Sequence, residues 1–261
     1  MFTAQIQSRF VMLAIIGGTG LSELQGFEQG EKVAIKTRYA HAKVRLVRFG
    51  SGDKEFIFLP RHGADHKVPP HEINYRANIA ALSDLGVTEI VAVNAVGAIR
   101  GDFLPGSAAV PDQLIDYSHS RDVSFYDGKL KAVHHIDFTN PYSESIRQRI
   151  LEAAKTVNSH SKTSYEVMNS GTYACTQGPR LETAAEIRRL AQDGCDMVGM
   201  TGMPEASLAR ELEIEYASLA LSVNWAAGLS EAPITLEDIH AVLEGGMEFV
   251  SAVIIEIVQQ S

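Results

Sequence analysis

Apolar positions along the chain alternate between short unbroken runs and stretches where they recur every three to four residues. The runs Leu13 to Gly17, Glu89 to Asn94, Asp196 to Gly199 and Tyr216 to Val223 read as strands buried on both faces. Lys43 to Phe49 and Glu55 to Leu59 read as two strands joined through the turn Gly50-Ser51-Gly52-Asp53. Ala108 to Ile115 and Thr172 to Thr176 add further strands. Helical spacing appears in Glu72 to Leu85, with Tyr75, Ile79 and Leu82 on one face, and in Ser143 to about Val157, with Ile146, Ile150 and Ala154. Thr183 followed three residues later by Glu186 is a capping-box signature for a helix burying Ile187 and Leu190, and Gly194 sits where a left-handed C-cap is wanted. Pro204 marks the first turn of another helix, and Thr235 with Asp238 starts a last one striped by Ile239, Leu243, Val250, Ile254 and Ile257. Strands alternating with helices predict an α/β fold: one domain over residues 12–261, preceded by an extension at 1–11.

Composition narrows the classes. A net charge of -9 argues against a nucleic-acid surface, and no apolar run is long enough for a membrane span. Cys175 and Cys195 lie in apolar segments, too far apart for paired-thiol chemistry, as expected of reduced thiols in a cytoplasmic protein.

The candidate chemistry sits where strands run into loops. Gly17-Gly18-Thr19-Gly20 follows a strand but lacks the third glycine of a dinucleotide fingerprint and the Gly-Lys-Ser/Thr of a nucleotide loop. Two readings stand: a tight strand-to-helix turn, or a turn whose amides and Thr19 hydroxyl hold one phosphate. Pro60-Arg61-His62-Gly63 closes another strand, and an arginine there can fork two donors onto a tetrahedral oxyanion. His62, His66 and His71 invite a metal reading, but Pro69 and Pro70 interrupt the run and no cysteine joins it, so no metal is expected. Between Gly171 and Glu205 two loops leave strands at helix N-termini, where anions collect, and the active site is expected there.

The segments GPRLETAAE and GMTGMPE resemble the signature of the trimeric purine nucleoside phosphorylase and methylthioadenosine phosphorylase family. The likeness extends through Gly17-Gly18-Thr19-Gly20, Arg61-His62-Gly63, His71 to Asn78, Asn94-Ala95-Val96-Gly97, His135 and Asn224, from about Leu13 to the end. It implies that family's fold, a central mixed sheet flanked by helices, and a homotrimer acting in purine salvage. No cofactor is implied, because inorganic phosphate is the co-substrate. Phosphate then falls to Thr19, Arg61, His62, the Ala95 amide and Thr201. The nucleoside falls to Met200, Leu181, His66, Leu236 and Ile239, with His135 reaching a neighbouring subunit's site.

The resemblance also bears on base choice. Asn224 would support purine N7 as the glycosidic bond breaks, and relatives acting on 6-aminopurines have aspartate there. Glu182 would accept N1–H of a 6-oxopurine, against the plainer reading that it serves its helix N-terminus. Where nucleoside phosphorylases place a histidine against the 5′-hydroxyl, this chain has Leu236 and Ile239, which suit a methylthio group. The expected reaction is phosphorolysis of 5′-methylthioinosine to hypoxanthine and 5-methylthioribose 1-phosphate. The alternatives are methylthioadenosine or inosine and guanosine as substrates, or a non-catalytic purine-binding protein.

Overall fold

The protein is described by a computed structural model covering residues 12–18, 21, 30–51, 54–128, 134–231 and 234–260. The expected extension at 1–11 and Thr19 lie outside the described residues. In chain order the elements are β1 (Leu13–Gly17), β2 (Glu31–Ile35), β3 (Val44–Ser51), β4 (Lys54–Pro60), α1 (Tyr75–Asp84), β5 (Glu89–Ala98), β6 (Ala108–Ala109), β7 (Gln113–Asp116), α2 (Glu144–His160), β8 (Val167–Met168), β9 (Thr172–Cys175), α3 (Ala184–Gln192), β10 (Met197–Gly199), α4 (Gly202–Glu211), β11 (Glu215–Trp225) and α5 (Leu236–Gln260).

All these strands join one mixed sheet. Its main path runs β2-β3-β4-β1-β5-β10-β9-β7, and β11 pairs with β5 and carries β6 and β8 beyond it. The hub is β5. On one edge it pairs in parallel with β11 along its whole length. Its other edge is shared: β1 pairs with Glu89 to Ala92, and β10 pairs antiparallel with Gly97 and Ala98. Among the described residues, 93–96 therefore have no strand partner on that second edge.

Two helical layers cover the sheet. Ile79 and Leu82 of α1 and Leu208 of α4 bury into one cluster, and Ile150 of α2 with Val253 and Ile257 of α5 into another. Each such side chain contributes roughly 1.5–3 kcal/mol by leaving water. Ile187 and Leu190 of α3 close a third, smaller cluster over Val198 and Ala226.

Several expectations move by a few residues for physical reasons. The helix expected from Glu72 begins at Tyr75, because the Asn74 side chain accepts the Ala77 amide at 2.9 Å and caps it there. Pro111, with no N–H to give a ladder, lies between β6 and β7, so Ala108 to Ile115 is two strands rather than one. The strand expected over Glu89 to Asn94 runs further: β5 continues to Ala98 because β10 and β11 flank it there. The Thr183–Glu186 capping box forms, and Gly194 adopts φ +86°.

Candidate active site

At the carboxyl ends of β1, β4 and β5 the chain surrounds a cleft of about 180 Å³. Gly18, Arg61, His62, Ala95 and Thr201 line it, with Met200 beside them, and Leu181, Glu182, Asn224, Ile234 and Ile239 complete the wall. It thus gathers residues far apart in sequence.

Arg61 follows β4 and lies across the end of β1, where its backbone amide bonds to the Gly17 carbonyl. Its side chain, 1% exposed, gives Nε–H and Nη2–H to the two carboxylate oxygens of Glu205, both at 2.7 Å. Nη1 donates to the Val93 carbonyl at 3.1 Å. Of five N–H donors, the described residues leave one on each terminal nitrogen for a ligand. Burial works against the charged guanidinium, but the charge and hydrogen bonds of Glu205 outweigh it and hold the pKa above its ordinary value. The bidentate edge facing Glu205 is therefore not available to an oxyanion, and any phosphate meets the remaining N–H groups instead. Gly18 permits this approach: a Cβ there would lie 2.5 Å from the Val93 carbonyl and 3.1 Å from Nη1.

The Val93 carbonyl faces the unpaired edge of β5, whereas the Ala98 carbonyl faces β11 and accepts from Ala226. Alternation along the strand then turns the Ala95 N–H toward the same edge as Val93. The gap left between β1 and β10 is a place where main-chain donors face the cleft instead of another strand.

Thr201, the N-cap of α4, has a hydroxyl that accepts from Asn94 Nδ2 at 2.8 Å, while Asn94 Oδ1 accepts from Ser218 at 2.7 Å. With its lone pair engaged by an amide, the Thr201 hydroxyl has its own hydrogen free to donate. Asn94 supports the site in this way from inside the sheet.

His62 donates Nδ1–H to the Val68 carbonyl at 2.8 Å, since a carbonyl can only accept. Burial first, and then the Arg61 charge, lower its pKa to about 4, so the ring is neutral near pH 7. A neutral ring with Nδ1–H committed offers Nε2 as an acceptor, suited to a P–OH or sugar hydroxyl rather than to a bare phosphate oxygen.

At the other end, Asn224 is the penultimate residue of β11, just after a register shift between Ser222 and Asn224. In a regular strand adjacent side chains point to opposite faces, yet Val223 and Asn224 both line the cleft, and the bulge accounts for it. Asn224 Nδ2 donates to the Trp225 carbonyl at 2.7 Å, leaving one N–H and Oδ1. Glu182 Oε1 accepts from the Thr176 hydroxyl at 2.6 Å. It does not cap α3, because Thr183 and Glu186 make the capping box between themselves. Gly178, at φ +62°, passes so close to Met200 that a Cβ would sit 2.5 Å from its sulfur.

Two of the expected nucleoside residues are not in the cleft wall. His66 instead packs its ring 4.7 Å from that of His62, and His135 is exposed. Leu236 begins α5, but its side chain is outside the described residues. Sequence reading missed Ile234, Val198 and Ala227 in the wall, and the two groups that brace it, Glu205 and Arg121. Arg121, in the loop between β7 and α2, donates to the carbonyls of Thr176, Gln177 and Met203. Among the described residues no cluster of three or more His, Cys, Asp or Glu is placed to hold a metal ion.

The cleft thus joins N–H and O–H donors at one end to the amide of Asn224 and the carboxylate of Glu182 at the other, on a mixed sheet of this order. The chain belongs to the phosphorylase superfamily, which it matches over residues 12–259. It is 48% identical over 248 residues to a probable S-methyl-5′-thioinosine phosphorylase of Pseudomonas syringae pv. tomato, covering 95% of this chain and 98% of that one. It is 43% identical over 237 residues to a 6-oxopurine nucleoside phosphorylase of Pyrococcus furiosus, covering 89% of this chain and 86% of that one. A methylthioadenosine phosphorylase of Schistosoma mansoni, solved with adenine, superposes with a TM-score of 0.88 at 33% identity, covering 96% of this chain and 91% of that one.

Proposed function

We propose that this chain cleaves 5′-methylthio purine nucleosides with phosphate, with S-methyl-5′-thioinosine as its preferred substrate. The carrying observation is the single cleft with anion donors at one end and Asn224 and Glu182 at the other. Phosphate rests against the free N–H groups of Arg61, the Ala95 amide and the Thr201 hydroxyl, with its own O–H toward His62 Nε2. A phosphate oxygen bonds to C1′ as the C1′–N9 bond breaks, and that bond's electron pair leaves with the purine. The proton of hydrogen phosphate ends on the released base, so the products are hypoxanthine and 5-methylthioribose 1-phosphate. The transition state has positive charge on the sugar and growing negative charge on the base, and the free Asn224 N–H meets the latter at N7.

Glu182 supports the 6-oxopurine. A carboxylate that accepts from Thr176 keeps its second oxygen as an acceptor for N1–H, whereas adenine presents a bare nitrogen there. Ile234 and Ile239 give the far wall an apolar lining that suits a methylthio group better than a hydroxyl. No cofactor enters this chemistry. No helix among the described residues is long and apolar enough to cross a membrane, and the reading includes a cytoplasmic enzyme of purine salvage. It also includes a homotrimer, in which the exposed His135 completes the site of an adjacent chain.

Side-by-side phosphorolysis of methylthioinosine, methylthioadenosine, inosine and adenosine tests the assignment. Methylthioinosine should react fastest, and omission of phosphate should abolish base release. Asn224→Asp should lower that rate and raise the relative rate on methylthioadenosine, because a protonated aspartate donates to N7 of adenine. A preference for methylthioadenosine in the unmodified protein overturns the roles given to Asn224 and Glu182.

A further inference from the structure

Glu205 does not line the cleft, yet it is 1% exposed and meets Arg61 through two 2.7 Å contacts. Its Oε1 also accepts from the Tyr216 hydroxyl at 2.9 Å, and Tyr216 is itself 3% exposed at the start of β11. Glu205 follows the kink at Met203 and Pro204 near the start of α4, the helix whose N-cap is Thr201. One short segment, kinked at Met203 and Pro204, thus ties together two cleft donors far apart in sequence, Thr201 directly and Arg61 through Glu205.

We infer that Glu205, held in place by Tyr216, is the positioning residue that fixes the direction of the two free Arg61 N–H groups at the phosphate end of the cleft. The inference rests on the reading of that end as a phosphate site. An unbraced arginine has many rotamers and a planar fork that can turn about its last bonds. A bidentate carboxylate stops that rotation and leaves the opposite N–H groups pointing one way. The Tyr216 hydroxyl does the same for the carboxylate, so the direction of the fork is ultimately set by β11 rather than by the Arg61 loop. Glu205 also makes the Arg61 site electrically neutral before phosphate arrives, so that affinity there depends on hydrogen-bond direction more than on net charge.

The test is phosphate KM, nucleoside KM and kcat for Glu205→Gln, Tyr216→Phe, Arg61→Ala and the double variant Arg61→Ala/Glu205→Gln. Glu205→Gln should raise the phosphate KM about tenfold, the worth of one charge-assisted hydrogen bond, while nucleoside KM stays within about twofold. Tyr216→Phe, which removes one hydroxyl and keeps the ring, should raise phosphate KM by about threefold, in the same direction. Because Glu205 acts through Arg61, the double variant should be no worse than Arg61→Ala alone. An unchanged phosphate KM in folded Glu205→Gln overturns the inference, as do equal rises in both KM values or losses that multiply in the double variant. A lower phosphate KM also overturns it, since the carboxylate would then only screen the guanidinium. Should Glu205→Gln not fold, Tyr216→Phe decides alone, and unchanged phosphate KM there is the negative result. Unaltered phosphate kinetics in Arg61→Ala would sink the phosphate reading itself, whereas damage in Arg61→Ala with none in Glu205→Gln sinks only the positioning role.

Discussion

Protonating His62 means charging an 8% exposed imidazole beside the Arg61 guanidinium, with its Nδ1–H already given to Val68. Its pKa of about 4 lies below the ordinary 6.5, so above that ordinary value neither folded nor unfolded chain holds the proton and no stability difference arises. As the pH falls from there toward 4, the unfolded chain takes a proton that the folded chain refuses, and the folded state loses up to about 3 kcal/mol from this group. Urea unfolding at about pH 7 and about pH 4.5 should therefore show a smaller acid loss for His62→Gln than for the unmodified protein. An equal loss in both would mean that the ring titrates normally in the folded protein. The same residue marks how far the sequence could be read. That His62 and Arg61 close a strand was legible from an apolar run ending in Pro60, but the ring's role as acceptor depends on Val68, which only the loop's path reveals. Glu205 was illegible for a related reason. Its partner lies 144 residues away, and nothing local marks a carboxylate as paired.

At the scale of elements, caps and long apolar runs were legible because their causes are local. Thr183 and Glu186 announce α3, and the structure forms both halves of the box, Glu186 N–H to Thr183 Oγ1 at 3.1 Å and Thr183 N–H to the Glu186 carboxylate at 2.7 Å. That cap anchors the Leu181-Glu182 segment in the cleft wall. Thr183→Ala should lower stability by about 1 kcal/mol and raise nucleoside KM while leaving phosphate KM unchanged, as read from denaturant midpoints and steady-state rates. A shift in phosphate KM alone would show that α3 serves the other end. The edge strand β2 escaped notice because its residues are largely exposed and show no buried face. The continuation of β5 to Ala98 and the bulge in β11 were hidden because both are set by neighbouring strands, not by their own residues.

For the whole molecule, the family's mixed sheet and the order of its motifs were readable from alternating periods and from separated signatures in sequence order. Assembly is another matter, because it lives on surfaces whose partner is a second copy. His135 is exposed and outside the cleft wall, which suits a residue whose ligand belongs to the adjacent chain of a closed ring. Light scattering should give three chains per particle, and His135→Ala should weaken nucleoside binding without altering that mass. A fully active monomer would remove His135 from the site.

The unpaired edge of β5 has a consequence for heredity. A donor such as the Thr201 hydroxyl can be lost through many single substitutions, whereas the Ala95 N–H belongs to the main chain and survives any replacement except proline. Side chains at position 95 can drift among sizes the cleft tolerates while the contact itself is untouched. On the proposed reading, the part of the cleft built from a missing rung of the sheet offers mutation a very small target, and changes in substrate preference can accumulate at Asn224, Glu182 and Ile239 without dismantling the donors at its other end.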